Sequence, residues 1–242
     1  MKSKLSAAVF FAAVAVLGLA ASAGAVDGTI EINQAKVLAT GGFPYTISNT
    51  GSYRLTGNLT VSGSSLNAID VNASHVTIDL NGFSIIGPGG GAPRSGRGIF
   101  TLLSETSLTV ENGTVTGFNT GVQTGASSVV KSVHADANTG FGIQTGHSAV
   151  VQGCSANDNG TGIDGGPGSV ISGNTANNNT GAGVECGGYG CVISGNGIVN
   201  NVTVGIFAED ATTGYGGNVL KNTTNVTGGT SLGHNLCSGV VC

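Results

Sequence analysis

A glycine followed by a β-branched residue recurs at Gly98-Ile99, Gly121-Val122, Gly142-Ile143, Gly162-Ile163, Gly183-Val184 and Gly205-Ile206, at intervals of 20 to 23 residues. Two further apolar series keep step with it. Leu80, Val110, Val130, Val151, Ile171 and Ile193 form one, and Ile85, Val115, Ala135, Ala156, Ala176 and Ile198 follow it by five residues each time. The segments between columns are too short for helices and are broken by Gly, Asn and Asp, which supply turn conformations that β-branched residues resist. The repeating unit is therefore three short strands joined by tight turns. Stacking such units about 4.8 Å apart makes a continuous core that no single unit could bury alone.

This pattern predicts an all-β chain, a single-stranded parallel β-helix of about seven to eight coils. A left-handed solenoid of six-residue repeats would hold a stricter period of roughly 18 residues. The longer, variable coil and the general preference of parallel crossovers predict the right-handed form. The helical body is expected over residues 51–230, with an N-terminal cap at 26–50 that includes a short helix from Ile32 to Leu38, and a tail at 231–242.

Composition alone is ambiguous, because 44 of 242 residues are Gly and 8% are charged. Regular spacing of Val and Ile argues against disorder. Lys2 and Lys4, an apolar run from Ala7 to Leu19 and the small residues Ala21 to Ala25 read as a secretory leader, cleaved near residues 23–25. No later apolar run is long enough to span a bilayer, so a secreted or periplasmic protein without a membrane span is expected, as a monomer. The formal net charge of −4 becomes more acidic without Lys2 and Lys4, which excludes nucleic acid as a partner.

Segments such as Val170-Ile171-Ser172-Gly173-Asn174-Thr175-Ala176 and Cys191-Val192-Ile193-Ser194-Gly195-Asn196, each followed by an Asn cluster and then Gly-Ile or Gly-Val, resemble the parallel β-helix repeats of the pectate-lyase-like superfamily. The resemblance covers roughly residues 51–222 and implies the fold; the superfamily includes lyases, hydrolases and adhesive proteins, so it names no single activity. Asn174, Asn196 and Asn218 share one coil position, and Asn138, Asn159, Asn179 and Asn201 share another. Stacked amides can hydrogen-bond along the axis, and both series are read as structural ladders.

Cys186 and Cys191 bracket a Gly-Gly-Tyr-Gly loop, and Cys237 and Cys242 bracket Ser-Gly-Val-Val, so each pair is expected to close a local disulfide in an oxidising compartment. Cys154 is left over and aligns with Val133 and Asn174 at an inward corner, which predicts a buried thiol. His75, His134, His147 and His234 are scattered, and no metal site is expected.

The residue after each inward Ile or Val should point outward. That places Phe100, Gln123, Gln144, Asp164, Glu185 and Phe207 on one surface file, with Asp70 extending it. From Phe100 to Phe207 the file would run roughly 24 Å, five coil steps. Amides and carboxylates between aromatic rings suit an extended polysaccharide or cell-surface glycan. Asp164 and Glu185 are neighbours whose like charges should raise one carboxyl pKa, unless a Ca²⁺ bridges them. Asp158, in the preceding turn, is a candidate third carboxylate. Arg94 and Arg97 sit in an inserted loop at 87–97 that leads to Phe100 and could fold over the file.

Two functions therefore compete. One is a non-catalytic structural or glycan-binding protein using Phe100, Gln123, Gln144, Phe207 and Arg97. The other is a polysaccharide lyase or glycoside hydrolase acting through Asp158, Asp164 and Glu185. Against catalysis, the Asn-Thr-Asp, Asp-Asp and His-Gly set of the related pectin hydrolases does not occur in register, nor does a calcium carboxylate cluster with a following basic residue. Ice binding would need outward Thr rows, but Thr124 and Thr145 run into Gly165 and Cys186.

Overall fold

The computed structural model describes residues 28–89, 94–102 and 104–242. The expected leader and the tip of the 87–97 loop lie outside them. The chain is a parallel β-solenoid of about nine turns. One strand per turn enters a 9-stranded sheet; the second strand, and in the earlier coils the third as well, enters a 12-stranded sheet, while the third strands of the last coils, Gly197–Val199, Val219–Lys221 and Leu236–Cys237, form a 4-stranded sheet with Val240–Val241. Every strand pair is parallel except Leu236–Cys237 with Val240–Val241, which folds back at the end. The coil count exceeds the seven or eight expected because the first strands lack the Gly-Ile signature. Ile30–Ile32 nevertheless pairs with Gly51–Leu55, and Tyr45–Ile47 with Ile69–Val71.

The short helix spans Gln34–Ala39 rather than Ile32–Leu38, since Ile32 ends a strand and Asn33 caps the helix by accepting from Lys36 N at 3.0 Å. From this helix the Gln34 amide reaches the neighbouring edge strand: its oxygen accepts from Thr60 N at 2.8 Å and its nitrogen donates to Thr60 O at 3.3 Å. A side chain thus takes the place of a missing strand at an open edge.

The three columns stack in register inside one core. Ile99, Val122, Ile143, Ile163, Val184 and Ile206 are Cα partners in succession, and all are fully buried. Val110, Val130, Val151, Ile171 and Ile193 do the same in the 12-stranded sheet. The expected start of that column at Leu80 shifts to Ile78, which pairs with Val110. Two extra residues before Ile85, in a turn where Phe83 N donates to Leu80 O at 2.8 Å, account for the slip.

In the five coils from Ser107 to Asn200 each of the three corners holds one residue in the left-handed region, in line with its counterparts. Asn112, Ser132, Gly153, Gly173 and Gly195 form one such row, and Ala137, Asp158, Asn178 and Asn200 another. The columnar glycines of the Gly-Ile repeat are absent from these rows, so their role is space rather than turn geometry. A Cβ on Gly142 would lie 2.7 Å from Asn159 Nδ2, and one on Gly162 would lie 2.8 Å from Asn179 Nδ2. Those amides belong to the first of two ladders, which runs Asn138, Asn159, Asn179, Asn201 and Asn222. Each Nδ2 also reaches a backbone carbonyl of the preceding coil, as Asn159 does to Ala135 O at 2.9 Å. The second ladder runs Asn174, Asn196, Asn218 and Asn235. Amide and glycine are thus one device: the buried amide satisfies corner backbone that water cannot reach, and the glycine leaves room for it.

Candidate functional site

Alternation along the strands turns the residue after each core Ile or Val out of the solenoid. Asp70, Phe100, Gln123, Gln144, Asp164, Glu185 and Phe207 are consecutive Cα partners across the 9-stranded sheet, so they form one continuous file. Each is half-buried, because stacked neighbours shield one another. Asp70 accepts from Asn67 Nδ2 at 2.7 Å. At Phe100 the Arg97 guanidinium lies over the ring, 4.5 Å from its centroid. This cation–π contact covers one face of Phe100 and keeps Arg97 three coils away from Asp164.

The acidic centre of the file is Gln144, Asp164 and Glu185. Gln144 Nε2 donates to Asp164 Oδ2 at 2.9 Å. Burial nonetheless holds the Asp164 carboxyl above its ordinary value, the Gln144 bond offsetting part of the effect. Burial also raises the Glu185 carboxyl, helped by the charges of Asp164 and Glu209. Glu209 escaped the sequence reading because that reading took only the residue after each core Ile or Val, whereas Glu209 lies two residues beyond Phe207, just past the strand Val204–Ala208. Among the described residues no group of three or more His, Cys, Asp and Glu could hold a metal ion.

Other expected participants lie elsewhere. Asp158 sits in a left-handed corner row and lines a recess of about 340 Å³ with Arg94, Asn138 and Asn159, a set that includes neither Asp164 nor Glu185. Arg94 therefore leads to the Asn corner rather than over the acidic pair. Thr124 and Thr145 are interior, 0% and 6% exposed, instead of forming an outward row. Cys154 is buried as expected, with its thiol pushed up to about 11 by desolvation, which makes it a poor nucleophile. The disulfides Cys186–Cys191 and Cys237–Cys242 are both present.

A feature the sequence reading missed lies at the corner just past the acidic pair. Ser127 N, Ser148 N and Gly168 N donate to the carbonyls of His147, Pro167 and Tyr189 on the following coils, which puts three ring-bearing side chains at equivalent corner positions. Beside them Gly146 and Gly166 stack so closely that a Cβ on either would come within 2.6 Å of the backbone of the preceding coil. Bare backbone beside a row of rings leaves a recess of about 550 Å³, lined by Thr145, Gly146, His147, Ser148, Gly166, Pro167 and Tyr189 among others. The Cys186–Cys191 bond closes the loop that carries Tyr189, which is 67% exposed. Its signal in the sequence was the disulfide loop itself, Gly187-Gly188-Tyr189-Gly190.

Among the described residues no helix is long and apolar enough to cross a membrane. No protein-family model and no curated protein sequence matches the chain. A solved structure similar to it is that of the Dettilon tailspike protein (gp208), with a TM-score of 0.51 and 12% identity, covering 82% of this chain. The match takes in 54% of that structure, so the chain spans about half its length. At this identity the likeness shows the shared parallel β-helix fold.

Proposed function

We propose that this is a secreted glycan-binding protein whose ligand lies along the file from Phe100 to Phe207. The observation that carries the reading is the acidic centre. Asp164 and Glu185 stand one strand apart, half-buried, with raised pKa values, and are not ion-paired among the described residues. Hydroxyl groups of a bound sugar are donors that would add to the single one, Gln144 Nε2, that Asp164 already has. A hydrogen bond to a charged acceptor contributes about 1.5–3 kcal/mol. Gln123 and Gln144 add amide donors and acceptors in line with them, and Phe207 offers a ring at the end.

Retention of the intact, oxidised protein on immobilised neutral and acidic polysaccharides tests this. Binding to a neutral glycan that is lost in Asp164→Ala with Glu185→Ala is expected. Absence of retention on every polysaccharide would overturn the reading.

One observation favours a second reading, a glycoside hydrolase or lyase. Two neighbouring carboxyls in unequal environments, Asp164 bonded by Gln144 and Glu185 facing Glu209, can divide into a protonated acid and an ionised base. Release of reducing ends or unsaturated products from the polysaccharide panel would support it. Activity that survives the double Ala variant would place any chemistry elsewhere.

A further inference from the structure

We propose that the corner recess beside the acidic pair is a separate subsite that takes one neutral pyranose, a side branch of the glycan lying along the file. The inference rests on the glycan-binding reading and adds a position and a preference to it.

Thr145 and Tyr189, at the recess, follow Gln144 and Glu185 of the file in the same coils. A main chain laid along the file therefore passes its rim, and only a lateral substituent can enter. Pro167 and Tyr189, at equivalent corners of adjacent coils one strand spacing apart, both line the recess and bring it two apolar rings. The C–H faces of a pyranose pack on such surfaces, while its hydroxyls need polar partners at the edge. His147, Ser148 and the Tyr189 phenol supply these. The recess, about 550 Å³, lies within the range of small-ligand sites. No Lys or Arg is among its lining residues, and the Asp164–Glu185 pair lies alongside, so a uronate or sulfated branch would meet negative charge without a cation.

The test compares linear and branched neutral oligosaccharides sharing one backbone: cellohexaose against xyloglucan fragments, and mannohexaose against galactosyl-mannan fragments. Calorimetry on the intact oxidised protein should show tighter binding of a branched member. Tyr189→Ala, at an exposed position, should weaken that member about ten-fold and leave its linear partner unchanged, and Tyr189→Phe should keep most of the affinity. Equal binding of both forms, or equal loss for both in Tyr189→Ala, would overturn the subsite while leaving glycan binding along the file intact. Failure of the wild-type protein to bind any of these probes or any polysaccharide would remove the parent reading and the subsite with it.

Discussion

The two large sheets both place acidic residues on neighbouring strands, and they treat them in opposite ways. Outside the 12-stranded sheet, Arg54, Asp79, Glu111 and Lys131 are consecutive partners, so each carboxylate is flanked by a cation. Arg54 Nε lies 3.3 Å from Asp79 Oδ2, and Lys131 Nζ lies 2.7 Å from Glu111 Oε2. Asn112 adds an amide to Asp79 at 3.2 Å. Outside the 9-stranded sheet, Asp164 and Glu185 have Gln144 on one side and Phe207 on the other. A parallel solenoid forces like positions to stack, so a like-charge pair must be neutralised or left in tension. The first face closes its charges internally, and the second leaves them without a cation among the described residues.

If the open face is held by the backbone rather than by outward side chains, the largest effect should come from beneath it. Gly162→Ala would place a Cβ 2.5 Å from Gly183 O and 2.8 Å from Asn179 Nδ2. Overpacking together with loss of a ladder amide should cost roughly 3 kcal/mol or more in urea unfolding. Gly173→Ala, at φ +66° with nothing within 4 Å, should cost only about 1 kcal/mol. Equal costs would mean that the ladder does not fix this face.

Next in size is the effect on binding. Asp164→Asn with Glu185→Gln should weaken glycan binding by roughly ten- to a hundred-fold in calorimetry. The mirror variant on the closed face, Asp79→Asn with Glu111→Gln, should leave it unchanged. Equal losses would erase the distinction between the faces.

Acid titration sharpens it further. The Asp164 and Glu185 carboxyls lie above their ordinary values of 3.8 and 4.5 in the folded protein. Each then binds its proton more tightly when folded than when unfolded, so its contribution is fully present below the ordinary value and is lost as pH rises through the folded one. Unfolding midpoints from pH 3 to 7 should show this decline in the wild type, and a flatter profile in Asp164→Asn with Glu185→Gln. A profile identical to wild type would mean that burial does not hold these two carboxyls above their ordinary values.

The smallest effect belongs to Lys131→Gln. Glu111 raises the Lys131 pKa, but the ion pair lies at an exposed side chain, so its loss should shift the unfolding midpoint slightly and the difference should vanish in high salt.

Much of this architecture was legible because a solenoid turns sequence period directly into spatial contact. Val130, Val151 and Ile171 meet because equal coils return the chain to the same place, and the order from Phe100 to Phe207 follows by the same rule. Where coils are unequal, reading failed. Leu80 stands where the period puts a core residue, but the column belongs to Ile78, and the last rung of the second ladder, Asn235, is hidden because it follows Asn218 by 17 residues; Asn222, 21 residues after Asn201, keeps the period and was overlooked. At the candidate site, the file was visible and its surroundings were not. Asp158 is close to Asp164 in sequence, yet it lines a recess with Arg94, Asn138 and Asn159 that includes neither Asp164 nor Glu185.

The sequence by itself determined the coil length, the three apolar columns, the amide ladders and the local disulfide pairs, because each depends on period or on nearest neighbours along the chain. Only the tertiary structure decided which way the corners face, and with that the burial of Thr124 and Thr145 and the alignment of His147, Pro167 and Tyr189 around one recess. Corners depart from two-residue alternation through left-handed residues, so side-chain direction beyond a strand end is set by backbone dihedrals and by stacking on the coils above and below. No spacing rule along the chain carries that information.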